Sequence, residues 1–242
     1  MTQVSSVLER LDGLRPAISA GVLSADLLSL GQQIALLESA GVRLLHVDVM
    51  DGCFVPQMTV GPPFVRALRN APMLKDVHLM IEQPLNKVGD YVAAGADMLT
   101  VHAESAPVHI HRALQQIRIA GASGNPPREV LRGIALNPGT PVERIEPLLD
   151  EAEMVLILAI NPGWGGQKLI PASRSRLFRA KDIIRSSGRS ILTCLDGGIT
   201  RENIAEISGW GADIVVTGSA IFERNAVAEN ARFMIEALKT GR

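Results

Sequence analysis

His46-Val47-Asp48-Val49-Met50-Asp51-Gly52 is a short apolar run in which alternate residues are ionisable. On a β-strand, residues two apart share a face. His46, Asp48 and Met50 therefore point one way, and Val47 and Val49 the other. The valines suit a surface covered by a helix. An imidazole and a carboxylate facing a strand-lined interior are costly unless paired or metal-bound. The alternation returns at Asp76-Val77-His78-Leu79-Met80, and a third apolar run ends on Asp196, just before Gly197-Gly198. Two His and two Asp at strand ends make a candidate metal site with a built-in carboxylate pair.

The rest of the chain alternates short apolar runs with amphipathic segments. Strands are expected at 17–23, 44–50, 75–80, 98–102, 132–136, 155–160, 190–196 and 213–217. Helices are expected at 27–40, 63–69, 85–94, 108–120, 142–149, 174–187, 201–209 and 226–238. Eight βα units in a row predict an α/β protein, a (β/α)8 TIM barrel. The 242 residues fit one such barrel over 1–242, since the fold needs about 250. Residues 1–14 read as an N-terminal extension with an extra helix. Gly41, Gly95 and Gly211 each follow a helix and suit the left-handed position that ends one. The segment 121–130, GASGNPPREV, reads as an exposed loop on the face away from catalysis.

Composition narrows the partners. The chain is 47% apolar with a net charge of −1, so it can bury a large core and carries no basic block for nucleic acid or an anionic membrane. Aromatic residues make up 3% and form no stacking platform. Cys53 and Cys194 lie far apart and outside any C-x-x-C pattern, which suits reduced thiols. No signal-peptide layout and no run of transmembrane length is present. The expectation is a cytoplasmic protein that binds a small molecule.

A barrel of this kind places catalytic residues at the C-terminal ends of its strands. His46 and Asp48 on strand two, His78 on strand three and Asp196 on strand seven meet that condition. Imidazole nitrogen with carboxylate oxygen suits one Zn²⁺, Fe²⁺, Mn²⁺ or Co²⁺ ion better than Ca²⁺. The alternative for each His is a satisfied core residue. Strands two and seven are expected on opposite sides of the barrel, so Asp48 and Asp196 would flank a substrate. Two such carboxylates can take a proton from one face of a carbon and return one to the other. The carbon must lie beside a carbonyl, and a metal on that oxygen lowers the cost of the enediolate. Alternatively both Asp are ligands only, with water moving the proton. Asp51, in a turn before Gly52, reads as a loop-capping carboxylate.

Glycines mark a candidate phosphate site: Gly163, Gly165 and Gly166 around Trp164 after strand six, Gly197 and Gly198 after strand seven, and Gly218 before Ser219 after strand eight. Barrels often bind phosphate on loops seven and eight, where glycine lets backbone N–H groups approach an anion. No dinucleotide or ATP signature is present. Met50 and Met80 occupy the next inward positions, either shielding the site or simply packing. His102 either reaches the pocket or bonds to backbone. His109 and His111 read as surface, and Cys194 as a small buried residue.

These motifs resemble the ribulose-phosphate 3-epimerase family from Ala17 to Phe222: LSAD (23–26), HVDVMDG (46–52), DVHLM (76–80), TVHAE (100–104), LNPGTP (136–141), NPGWGGQ (161–167), DGGI (196–199) and GSAIF (218–222). The resemblance implies metal ligation by His46, Asp48, His78 and Asp196, with Asp48 as proton acceptor and Asp196 as donor in one direction. It implies phosphate held by backbone around Gly163, Trp164, Gly165, Gly166, Gly197, Gly198, Gly218 and Ser219. It also implies interconversion of D-ribulose 5-phosphate and D-xylulose 5-phosphate, and a homo-oligomer. Several substrate-facing positions depart from the family's pattern: Gly21 where a serine is usual, Cys53 for His, Gln57 for Asn and Leu158 for a third pocket methionine. The metal and acid/base positions are kept. Retained chemistry on another phosphoketose, such as allulose 6-phosphate, is one alternative, and a catalytically silent phosphosugar-binding paralogue is another.

Overall fold

The computed structural model describes residues 6–105 and 108–241. After a short helix α1 (Val7–Asp12), eight parallel strands close into a barrel: β1 (Ala17–Gly21), β2 (Leu44–Met50), β3 (Leu74–Met80), β4 (Met98–His102), β5 (Leu131–Leu136), β6 (Met154–Leu158), β7 (Leu192–Asp196) and β8 (Ile214–Thr217). The outer helices are α2 (Leu30–Ser39), α3 (Pro62–Ala67), α4 (Val88–Ala94), α5 (Ile110–Ala122), α6 (Ser173–Ser186), α7 (Ile204–Ser208), α8 (Ser219–Phe222) and α9 (Val227–Thr240). This is the (β/α)8 barrel expected from the alternation. The helix expected in the extension is α1, and positions 1–5 lie outside the described residues. No described helix is long and apolar enough to cross a membrane.

Alternation along each strand sorts two cores. Outward residues such as Val47, Val49, Val77, Leu79, Val155, Ile157 and Leu195 pack beneath the helices. Inward residues form a separate cluster, with Ala17, Leu44, Leu74, Met98, Leu131, Met154, Leu192 and Ile214 at the strand starts. Val7 and Leu11 of α1 join that cluster and close the barrel at its N-terminal end. The strand register steps two residues between β1 and β2, β3 and β4, β5 and β6, and β7 and β8. Four such steps give the shear of about 8 that this barrel requires.

Several boundaries differ from expectation for identifiable reasons. β1 stops at Gly21, and Val22–Ser24 turns into a 3₁₀ segment where the backbone meets that of Gly218. A Cβ on Gly21 would lie 3.3 Å from Gly218 Cα. The helix expected at 142–149 is a 3₁₀ segment, Val142–Leu148, with Pro147 inside it. Proline lacks the N–H an α-helix needs there. The 121–130 segment is exposed along most of its length, as expected, but is anchored at its ends: α5 runs to Ala122, Val130 is buried, and the Arg128 guanidinium donates to the Val92 carbonyl at 2.9 Å. Gly41, Gly95 and Gly211 have φ of 95°, 115° and 69°, the left-handed values expected after a helix.

Candidate metal centre and active site

Register brings the ionisable residues together. Asp48 on β2 pairs with His78 on β3, and His46 pairs with Asp76 one inward layer below. His46 is thus the third residue of its strand, not at its end. His46 Nε2 lies 3.1 Å from Asp48 Oδ1 and 3.6 Å from Asp196 Oδ2. His78 Nδ1 lies 3.2 Å from Asp48 Oδ1 and 3.6 Å from Asp196 Oδ2. One donor atom from each of the four residues falls within 4.8 Å of all the others.

Asp48 and Asp196 come from strands one step short of the expected opposition. β2 and β7 lie three steps apart in the closed ring of eight, one short of diametric, and one oxygen of each carboxylate reaches within 4.8 Å of the other. Both edge the cavity, with side chains 27% and 11% exposed, while the two imidazoles beneath are fully buried.

The donor set suits a divalent cation. Asp76, fully buried, lies 2.8 Å from His46 Nδ1 and also accepts from Ser19 Oγ at 2.8 Å. A carboxylate on Nδ1 fixes that ring's hydrogen and leaves the Nε2 lone pair facing Asp48 and Asp196, the usual support for a metal-bound histidine. Two imidazole nitrogens and two carboxylates at this spacing are donors of the kind that hold a divalent metal ion. The local field points the same way. Burial disfavours charge on His46, but Asp76 and Asp48 outweigh it and raise its pKa well above the ordinary value. His78 is raised too, against burial, by Asp196 and Asp48. Burial pushes the Asp48 pKa up, yet the neighbouring imidazoles hold it well below the usual carboxylate range. A field that attracts protons to these nitrogens attracts a metal ion in their place.

Above the quartet opens a cavity of about 400 Å³. Asp48, Asp196, Met50, Met80, Leu158 and Gly21 line it, together with Gly163, Trp164, Gly165, Gly166, Gly197, Gly198, Gly218 and Ser219. The glycine loops expected to hold phosphate therefore surround the mouth that the carboxylates face. Gly197 and Gly198 have φ of 102° and 69°. A Cβ would lie 2.4 Å from Ile160 Cγ1 at the first and 2.7 Å from Leu169 N at the second. Only glycine fits such a turn with its backbone so close to the next loop.

Other residues took roles the sequence left open or missed. Asp51 caps as expected: it accepts from the backbone N–H groups of Cys53, Phe54 and Glu82 at 2.8–2.9 Å. His109 is exposed, and half-buried His111 lies 3.3 Å from Asp150. Cys194 is buried in the inner cluster. His102 bonds to side chains, not backbone: its Nε2 lies 2.9 Å from His78 Nε2 and its Nδ1 3.0 Å from Glu104. Burial, helped by the charge of His78, pulls the His102 pKa down to about 4, and Glu104 sits at about 2 because His102, Thr140 and the Asn137 N–H outweigh its own burial. Asp76, Ser19 and Glu104 were missed. The signal for Asp76 was present, since it lies two residues before His78 on the same inward face.

A closed barrel carrying a His/Asp quartet beneath a C-terminal cavity defines a (β/α)8 enzyme with a candidate metal centre. The chain belongs to the ribulose-phosphate 3-epimerase family, whose model matches residues 17–222, and so to the carbohydrate epimerases. It is 40% identical to the ribulose-phosphate 3-epimerase of Bacillus subtilis over 85% of this chain and 91% of that protein. It is 39% identical to the chloroplastic ribulose-5-phosphate-3-epimerase of Arabidopsis thaliana, over 95% of this chain and 79% of that one. Among solved structures, KGPDC from Streptococcus mutans superposes with a TM-score of 0.68 at 14% identity, covering 93% of this chain and 98% of its own; that likeness speaks to the fold alone.

Proposed function

We propose that this chain is a metal-dependent 3-epimerase of a ketose phosphate, interconverting D-ribulose 5-phosphate and D-xylulose 5-phosphate. The observation that carries the reading is the pair of carboxylates, Asp48 and Asp196, converging on one cavity from two strands. His46, Asp48, His78 and Asp196 would hold a divalent metal, which when bound would supply Lewis-acid stabilisation for negative charge on a substrate oxygen. Asp48, as a carboxylate, takes the C3 proton. Asp196, starting as a carboxylic acid, returns a proton to the other face of C3. The two residues end with their protonation exchanged, ready for the reverse direction, and reset by exchange with solvent. Burial of His46 and His78 fixes the carboxylates in position, since both imidazoles contact both Asp residues. Backbone N–H groups of the glycine loops at the mouth bind the phosphate, and Met50, Met80 and Leu158 keep water from the reacting carbon.

Proton NMR in D2O with zinc-loaded protein and D-ribulose 5-phosphate tests this. Loss of the C3–H signal as D-xylulose 5-phosphate grows is the expected result. A metal-bound, folded protein that leaves C3–H untouched rejects the assignment. One observation favours a second reading: at Gly21 the cavity wall is bare backbone against Gly218, which removes a hydroxyl from the substrate's surroundings. On that reading the same C3 exchange appears with another phosphoketose, such as allulose 6-phosphate, and a substrate panel separates the two. Binding with no C3 exchange on any member marks a silent binding protein.

A further inference from the structure

Beside the quartet two imidazoles meet edge to edge. His78 Nε2 and His102 Nε2 are 2.9 Å apart, with ring planes 20° from parallel. Only one proton fits between two ring nitrogens at that separation. On its other side, His102 Nδ1 lies 3.0 Å from Glu104 Oε2. An ionised carboxylate only accepts, so Nδ1 carries a hydrogen. A neutral His102 then has its lone pair on Nε2, and the shared proton belongs to His78 Nε2. Asp48 Oδ1, 3.2 Å from His78 Nδ1, draws a proton to that atom; with a metal ion in the proton's place the His78 lone pair lies on Nδ1, facing Asp48 and Asp196.

Glu104 is itself pinned. Its Oε1 accepts the Asn137 N–H at 2.8 Å and the Thr140 hydroxyl. Arg176 of α6 holds the same loop from outside, donating to the Thr140 carbonyl at 2.7 Å and the Asn137 carbonyl at 2.9 Å. Both imidazoles are fully buried, and the Phe54 ring stands 4.7 Å from that of His102. Both imidazoles are therefore shielded from water, and the relay is held at both ends, Glu104 being 18% exposed, the conditions under which one tautomer wins.

We propose that His102 and Glu104 are positioning residues that set the tautomer of His78, so that Nδ1 faces the metal. The inference rests on the reading of the quartet as a metal site. His46 is the mirror case: Asp76 takes its Nδ1–H directly and Nε2 faces the site. The two histidines thus offer opposite ring nitrogens to one ion. One is set by a carboxylate in contact, the other by a carboxylate acting through a second imidazole.

The test uses the full chain with ¹⁵N-labelled histidine rings, with Zn²⁺ added. Long-range ¹H–¹⁵N correlation should show His78 protonated on Nε2 and bound through Nδ1, with His46 the reverse. A His78 protonated on Nδ1 overturns the proposal. Glu104→Gln and His102→Gln, titrated with Zn²⁺ against a competing chelator, should lose about 10- to 100-fold in affinity and show a mixed His78 tautomer. Unchanged affinity with an unchanged tautomer also overturns it. Where a variant fails to fold, the wild-type ring pattern decides alone. If the wild-type protein takes up no Zn²⁺, the metal-site reading falls and this inference with it. If Zn²⁺ binds with His78 in the other tautomer, only this inference falls.

Discussion

The two ends of the barrel are built from the same strands with opposite chemistry. At the N-terminal end the inward positions are Leu44, Leu74, Met98, Leu131, Met154, Leu192 and Ile214, sealed by Val7 and Leu11. Two inward steps further along β2 and β3, the positions are Asp48 and His78, with Asp196 closing β7. At the closed end the inward cluster is apolar. The open end spends burial on imidazoles and carboxylates that must satisfy each other. Stability and chemistry are therefore assigned to different layers of one interior, and each layer can be disturbed alone.

The sharpest break of that division comes from the open end. Asp196→Asn should lower turnover by about 10³-fold or more, within the range for losing a proton-transfer group, while thermal melting compared in the metal-free proteins stays close to wild type. A variant that unfolds instead, or that retains near-normal turnover by NMR, contradicts the separation. At the closed end, Leu11→Ala empties a fully buried site and should cost about 2–5 kcal/mol in urea unfolding, with the folded fraction turning over normally. Chelation follows in size. Metal at about 100 times its Kd adds about 2.7 kcal/mol, so stripping it should lower the melting point and the activity, both restored by Zn²⁺, Mn²⁺ or Fe²⁺. Leu11→Ala should leave that increment unchanged.

The smallest effect is a pH slope. The folded Glu104 pKa of about 2 lies below its ordinary value of 4.5. Between those values the unfolded chain binds more protons than the folded one, so stability falls as pH falls through the window. Above it the contribution is fully present. Glu104→Gln should flatten this part of the acid-unfolding curve, by an amount on the order of 1–2 kcal/mol after solvent and coupling are allowed for. A slope unchanged in the variant places the acid sensitivity elsewhere.

The barrel was legible because period-two alternation and helix punctuation are local. Leu44–Met50 and Met98–His102 match their expected spans to the residue. The quartet was legible for the same reason, since alternation alone put His46, Asp48 and His78 on the inward face. What depended on neighbours was not. Asp76 gains its role from lying opposite His46 across the β2–β3 register, and Glu104 from a loop fold that turns it back toward His102. The 4.8 Å convergence of Asp48 and Asp196 was not legible either, because the order of strands does not by itself say how closely a tilted, sheared barrel brings two strand ends together.

The seal formed by α1 has a consequence for traffic. Among the described residues the barrel is closed at its N-terminal end and open at the other, and the quartet lies at the foot of the cavity beneath that mouth. On the proposed function, the metal ion would enter before the sugar phosphate and leave only after it. Bound sugar phosphate should then act as a stopper, slowing escape of the ion to a chelator in proportion to its occupancy.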